Sequence, residues 1–396
     1  MDVTPASLNK AQRYAVLSQR LALDINTIQY LTSDGPLQLM QVLHDQVANH
    51  MRVVVAVGTG IETLYAVASS EPILSEAASH AMRLTNFSMP KALSEVLSGF
   101  CISRGDRGEL VVAALFTCAR DALVKSKPRL LPEQLCHQFS VKALFENLFS
   151  KTTCESIMAY KPSLWHSGSE ADQLQFGQAF DGAYMHFNHF IKPQEQKLIS
   201  RGYLLLYLAR GAAALGANCQ PGFDAVYPFL HGGRDLVRRR VGFIIVQVKN
   251  DLNFRRATSG VFPNMDPLKC GLIARSDLED GCFPIPIIRI LFSLHGDDPS
   301  VKRMEYEMFS EGAVDSLGEH GRPLFTTYDI MCQGFSPKIF QPAEKSPDVW
   351  TSLIRQCQWA SLYQVSVPDV VRAQLPGCGS HVGHWTPWVE GLTDII

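Results

Sequence analysis

The amino-acid sequence predicts an α/β fold. Amphipathic helical segments fill the first hundred residues. Two apolar runs of strand length flank a polar loop in "FDAVYPFLHGGRDLVRRRVGFIIVQVKND" at 223–251. The order that follows is connection, strand, strand and helix. Such a mixture of strands and helices is stable as a sheet covered by helices.

In chain order, "ASLNKAQRYAVLSQRLAL" (6–23) and "PLQLMQVLHDQVANHM" (36–51) carry helical periodicity, and a short β-like run covers Arg52–Val57. That run enters Gly58-Thr59-Gly60, but Ile61, Glu62 and Thr63 follow where a phosphate loop needs Lys and Ser/Thr, so a turn is expected. "SRGDRGELVVAALFTCARDALV" (103–124) passes from a polar turn to an apolar helix. Glu109 is expected in its first turn, where free amides favour a carboxylate. Helix capping and metal ligation both suit that position.

Residues 126–175 read as mixed helix and loop. Pro128, Pro132, Pro162 and "HSGSEADQ" suggest an insertion or domain edge. Residues 176–217 read as two helices parted near Lys192-Pro193. His186 and His189 would share a helix face there, and packing beside Phe187 and Phe190 outweighs metal binding. Beyond the hairpin, "FPIPIIRILFSL" (283–294) and "PLFTTYDIMCQG" (323–334) read as strands. "SPDVWTSLIRQCQWASLYQ" (346–364) reads as a helix with Ser346 at its cap and Pro347 at its first position. Near the end, Cys378, His381 and His384 form only an incomplete zinc signature, and Trp385 and Trp388 are expected to anchor the tail.

With 396 residues and 46% hydrophobic content, the chain can build a large core. The expected organisation is a helical N-terminal region, 1–99, as a candidate for partner binding. A core follows at 100–345 with an insertion around 126–210, then a C-terminal helix and tail, 346–396, packed on it. Lys plus Arg number 36 against 38 Asp plus Glu, so any phosphate-binding surface must be a local patch. Ten cysteines without a CxxC pair argue against a zinc ribbon or a disulfide framework, and fit reduced thiols in an intracellular protein of nucleus or cytoplasm. No run approaches the roughly 20 apolar residues of a membrane helix, so no membrane association is expected.

The chemistry concentrates in the hairpin. Strand alternation puts Gln247 and Lys249 on one face and Val246 and Val248 on the other, while Asp224 opens the neighbouring strand. Asp224, Gln247 and a third acid are oxygen donors of the kind a hard divalent ion takes, and Lys249 is suited to charge building on a phosphate. The same residues also suit the solvent-facing end of an ordinary hairpin.

"GFDAVYPFL" followed by "VGFIIVQVKN" resembles the PD-(D/E)XK nuclease superfamily, in the variant where Gln replaces the second acid, and is similar to uncharacterised nuclease-like proteins of fungi. The resemblance implies a restriction-endonuclease-like mixed central sheet flanked by helices, with helical insertions. It implies Mg²⁺ or Mn²⁺ and hydrolysis of nucleic acid, DNA ahead of RNA. Asp224 matches the first acid, Gln247 the second acid position and Lys249 the lysine. The glutamate contributed by an earlier helix is Glu109 or Glu195, with Glu109 favoured for its apolar helix. Phe223 stands where proline is frequent in the family. Arg234, Arg238, Arg239 and Arg240, between the two motif strands, are expected to contact a phosphate backbone near the motif. A protein partner or homodimer is also compatible. The alternative is an inactive nuclease-fold binding or assembly module, favoured by the near-neutral charge and by glutamine at an acid position.

Overall fold

Val241–Lys249 (β8), sequence VGFIIVQVK, is the strand around which the molecule is built. Its β-branched and aromatic side chains are buried on both faces as far as Val246, as in a sheet covered on two sides. The computed structural model describes residues 8–22, 52–57, 64–68, 71–85, 87–97, 104–125, 138–165, 173–193, 195–217, 220–251, 254, 261–279, 285–296, 298–305 and 324–355.

Within them the helices are α1 (Lys10–Ser18), α2 (Glu71–Leu84), α3 (Met89–Leu97), α4 (Arg104–Lys125), α5 (Val141–Leu148), α6 (Lys151–Met158), α7 (Phe176–Ala179), α8 (Arg201–Ala209), α9 (Val261–Asn264), α10 (Ser276–Glu279) and α11 (Pro347–Arg355). The strands are β1 (Arg52–Val57), β2 (Leu64–Ala68), β3 (Phe139–Ser140), β4 (Tyr184–Met185), β5 (His189–Ile191), β6 (Ala212–Leu215), β7 (Ala225–Leu230), β8, β9 (Ile287–Ser293), β10 (Ser300–Arg303) and β11 (Thr327–Gln333).

The main sheet is mixed. β7 runs antiparallel to β8, from Ala225 opposite Val246 to Leu230 opposite Val241. β9 is parallel to β8 and β11 parallel to β9, the first connection passing through α9 and α10. β10 closes one edge. On its other side β7 meets β6 at Ala225 and Val226 and β4 at Leu230. Pro228, which has no N–H to give, falls between those two short contacts.

Helices cover both faces. One face of the sheet, with Ala213, Ala225, Tyr227, Ile244, Val246 and Val248, packs against α4, α5 and α11. The other, with Ala214, Val226, Phe243 and Ile245, packs against Leu204 and Leu208 of α8 and Phe262 of α9. Among the described residues no helix is long and apolar enough to cross a membrane.

The described N-terminal helices α1, α2 and α3 belong to the first of these cores. Asn9 caps α1 in a reciprocal capping box with Gln12, and Leu17, Met82, Met89 and Leu93 are buried with α4. A buried ionic network reinforces the join. Arg20 grips Asp121 of α4 through two bonds of 2.6 and 2.9 Å and donates to the Asn188 carbonyl. Arg120 binds Glu76 and Ser79 of α2, and Glu76 also accepts from the Asn188 amide at 2.6 Å.

Several sequence expectations need correction. Residues 176–217 are not helical throughout: α7 and α8 lie there, but β4 and β5 stand between them and β6 follows α8. The short apolar runs of these strands complete the sheet edge, and that pairing overrides local helical preference. His186 and His189 are therefore not on a helix face. Between 138 and 210 the chain supplies β3, β4 and β5 to the main sheet and α5 and α6 to its core.

Gly58-Thr59-Gly60 lies outside the described residues, yet the next element is the antiparallel strand β2 rather than the helix a phosphate loop requires. The predicted helix at 36–51 and Cys378, His381, His384, Trp385 and Trp388 also lie outside them. Cys118, Cys154, Cys270 and Cys332 are free thiols. The predicted C-terminal helix starts at Pro347 and buries Trp350, Leu353 and Ile354.

Candidate active site

β8 runs three residues beyond its last pairing with β7, so Gln247, Val248 and Lys249 pair only with Leu291, Phe292 and Ser293 of β9. Asp224 lies beside this free edge. Its N–H donates to the Val246 carbonyl at 2.8 Å, its own carbonyl accepts from Gly216, and its Oδ2 accepts the Val248 N–H at 2.5 Å. The bonds to Val246 and Val248 straddle Gln247. Asp224, Gln247 and Lys249 have the parity of Val226 and Ile245, and all three are half-buried.

The turn before Asp224 is built for this placement. Gly222 has φ +87°, and a Cβ there would stand 2.1 Å from the Asn264 carbonyl oxygen and 2.6 Å from Cys270 Sγ. Phe223, at the position where the resemblance would favour proline, is buried in the second core and anchors the strand by packing.

Helix α4 brings Glu109 to the same end of the sheet. Gly108 makes this possible, since a Cβ there would meet Asn250 Cβ at 2.6 Å and Val248 Cγ1 at 3.2 Å. Only a glycine lets the helix lie this close to the end of β8. Glu109 is not in the first turn, as the sequence suggested; Asp106 is. Helix capping therefore does not account for Glu109.

Electrostatics tie these groups together. Burial, the charge of Asp224 and that of Asp106 push the Glu109 carboxyl up to about 8, against the pull of Lys192 and Lys249. Burial also raises Asp224, opposed by the Val248 N–H and by Lys249. The two carboxyls thus resist ionising side by side. Glu195, the alternative helix acid, is exposed and paired with Lys197 at 2.5 Å at the start of a 3-10 turn. Glu109 is the acid brought to Asp224 and Lys249.

The arginines go elsewhere. They lie on the loop joining the far ends of β7 and β8, and the nine residues of β8 span about 26 Å. Arg238 pairs with Asp277 and Arg240 with Asp235, both at 2.7 Å, and Arg234 stacks over Tyr184. Arg239 offers its carbonyl to the buried Arg201. Hairpin geometry puts them at the end of β7 and β8 opposite Asp224 and Lys249, because the loop of a hairpin is at the end opposite its two free termini.

Sequence reasoning missed Lys192 and Asp106 as neighbours of the site. Asp106 lies three residues before Glu109 on one helix, a relation visible in the sequence. Lys192 carried no local signal.

Hard oxygen donors from Asp224, Glu109 and Gln247 suit Mg²⁺ or Mn²⁺, and a cation between two mutually repelling carboxyls would relieve their repulsion. Gln247 makes no side-chain hydrogen bond among the described residues and adds a neutral oxygen. Among the described residues no three His, Cys, Asp or Glu side chains form a ready-made cluster. The candidate donor set is two acids and an amide.

The chain matches no protein-family model, no curated protein and no solved structure.

Proposed function

We propose that the chain is a divalent-metal-dependent nuclease of the PD-(D/E)XK type with a restriction-endonuclease-like core, hydrolysing phosphodiesters of nucleic acid, DNA ahead of RNA. The observation that carries this reading is the meeting of Glu109 from α4 with Asp224 and the Gln247-Val248-Lys249 end of β8. Helix α4, distant in sequence, and the β7–β8 hairpin together supply the acid, acid, amide and lysine that the resemblance names.

Asp224, Glu109 and Gln247 would hold Mg²⁺ or Mn²⁺, which when bound would activate a water and offset phosphate charge. The chain's own residues set the geometry. The Val248 N–H fixes one Asp224 oxygen and so fixes the direction of the other. Lys249, a cation at the rim, is suited to orient the attacking water and to stabilise charge on the phosphoryl oxygens. Water attack forms one P–O bond, the bond to the leaving oxygen breaks, and that oxygen takes up a proton.

A second reading, an inactive binding or assembly module on the same scaffold, has its own support. One Asp224 oxygen is already engaged by backbone, Gln247 carries no charge, and Glu109 holds its proton at neutral pH without a cation.

Labelled single- and double-stranded DNA and RNA, incubated with EDTA, Mg²⁺ or Mn²⁺, separate the two readings. Metal-dependent cleavage by the wild type, lost in Asp224→Ala and Lys249→Ala at matched folding, is expected. A folded wild type inert on every substrate would leave the binding module.

A further inference from the structure

Lys192 stands at the end of β5, and the register of three strands carries it toward Asp224. Ile191 pairs with Ala214 of the parallel β6, so Lys192 continues opposite Leu215. Leu215 pairs with Ala225, the residue after Asp224. Two strand spacings put β5 about 10 Å from β7, within reach of a phosphodiester backbone lying across the end of the sheet.

Pro193 settles the direction of the lysine. A residue before proline is held extended, so Lys192 keeps the alternation of the strand it ends. Phe190, of the same parity, is buried in the core shared with α4, so Lys192 leaves the sheet on the side of Glu109. Gln247 and Lys249 follow Ile245 toward the other face. The two lysines therefore leave the sheet on opposite faces, and both act on the Glu109 carboxyl. Lys192 is exposed and so accessible to a ligand.

We infer that Lys192 is a second phosphate-binding cation of this site, holding a backbone phosphate beside the scissile bond while Lys249 serves the reacting one. The inference rests on the nuclease reading. The electrostatics agree with the geometry, because Lys192 acts on Glu109 more strongly than Lys249 does. The division of labour follows from placement. Lys249 is on the strand that carries the motif, whereas Lys192 comes from the sheet edge and meets the polymer away from the reacting atoms.

The test uses the full chain, a fluorescein-labelled DNA duplex and a matched RNA hairpin, with Lys192→Ala, Lys192→Gln and Lys192→Arg beside Asp224→Ala. Binding is measured in EDTA over a salt series, and cleavage in Mg²⁺ over a substrate series. Lys192→Ala and Lys192→Gln should raise KM several-fold with kcat nearly unchanged, and should reduce the salt slope of binding by about one. Lys192→Arg should restore both, which a merely structural role would not produce.

Unchanged KM and salt slope in Lys192→Ala, with Asp224→Ala inactive, would overturn this inference and leave the nuclease reading standing. A folded wild type that neither binds nor cleaves either polymer would overturn both.

Discussion

At the scale of single residues, the site is governed by carboxyls that are costly to ionise. Glu109 has its pKa raised to about 8 from an ordinary 4.5. The folded chain then binds more protons than the unfolded chain between those values, so stability without metal falls as pH rises through that window. Glu109→Gln removes the penalty. It should raise the Tm by a few degrees at pH 8.5 and leave it nearly unchanged at pH 4.5; thermal melts in EDTA at the two pH values check this. Gly222 is the complementary backbone case. Gly222→Ala combines a left-handed φ with a clash against the Asn264 carbonyl and should cost about 3 kcal/mol or more, measured by urea unfolding.

Among the elements, β9 and β11 hold a charge pair inside the sheet. Arg289 and Asp329 are opposite each other in register, joined through Nε at 2.6 Å and Nη2 at 2.5 Å, and Arg289 also donates to the Phe262 carbonyl of α9. Removing one partner strands a buried charge, so Arg289→Met should destabilise by about 3–5 kcal/mol. The double variant Arg289→Met, Asp329→Leu should recover part of that loss, which a double-mutant cycle in urea would read. Element geometry also explains which predictions succeeded. β8, β9, β11, α4 and α11 announce themselves by long apolar runs or a Ser-Pro start, signals contained within each segment. β4, β5 and β6 are two to four residues long and exist only because neighbours pair with them.

For the whole molecule, the described N-terminal helices are part of the main core rather than a detachable arm. Arg20, Glu76, Arg120, Asp121 and Asn188 link α2, α4 and the β5 edge across long stretches of sequence. Arg20→Ala should therefore lower the Tm of the entire transition, reported equally by tryptophan fluorescence and by far-ultraviolet circular dichroism. Two separate transitions would contradict a shared core. His189 lies at the same junction, and burial, aided by the charge of Arg210, depresses its pKa to about 3. Its neutral form belongs to the fold, so its contribution is complete above the unfolded value near 6.5 and is lost as pH falls toward 3.

The sequence by itself determined the α/β class, the hairpin at 223–251 and the shared face of Gln247 and Lys249. These follow from periodicities of two and 3.6 residues, which operate within a segment. Only the tertiary structure brought Glu109 rather than Glu195 beside Asp224, put the arginines at the far end of the hairpin, turned 184–185, 189–191 and 212–215 into strand, and brought Lys192 near Glu109. Each of those outcomes depends on which segments meet. Sheet register and helix docking, including the close approach of Gly108 to β8, settle that through contacts between residues far apart in the chain.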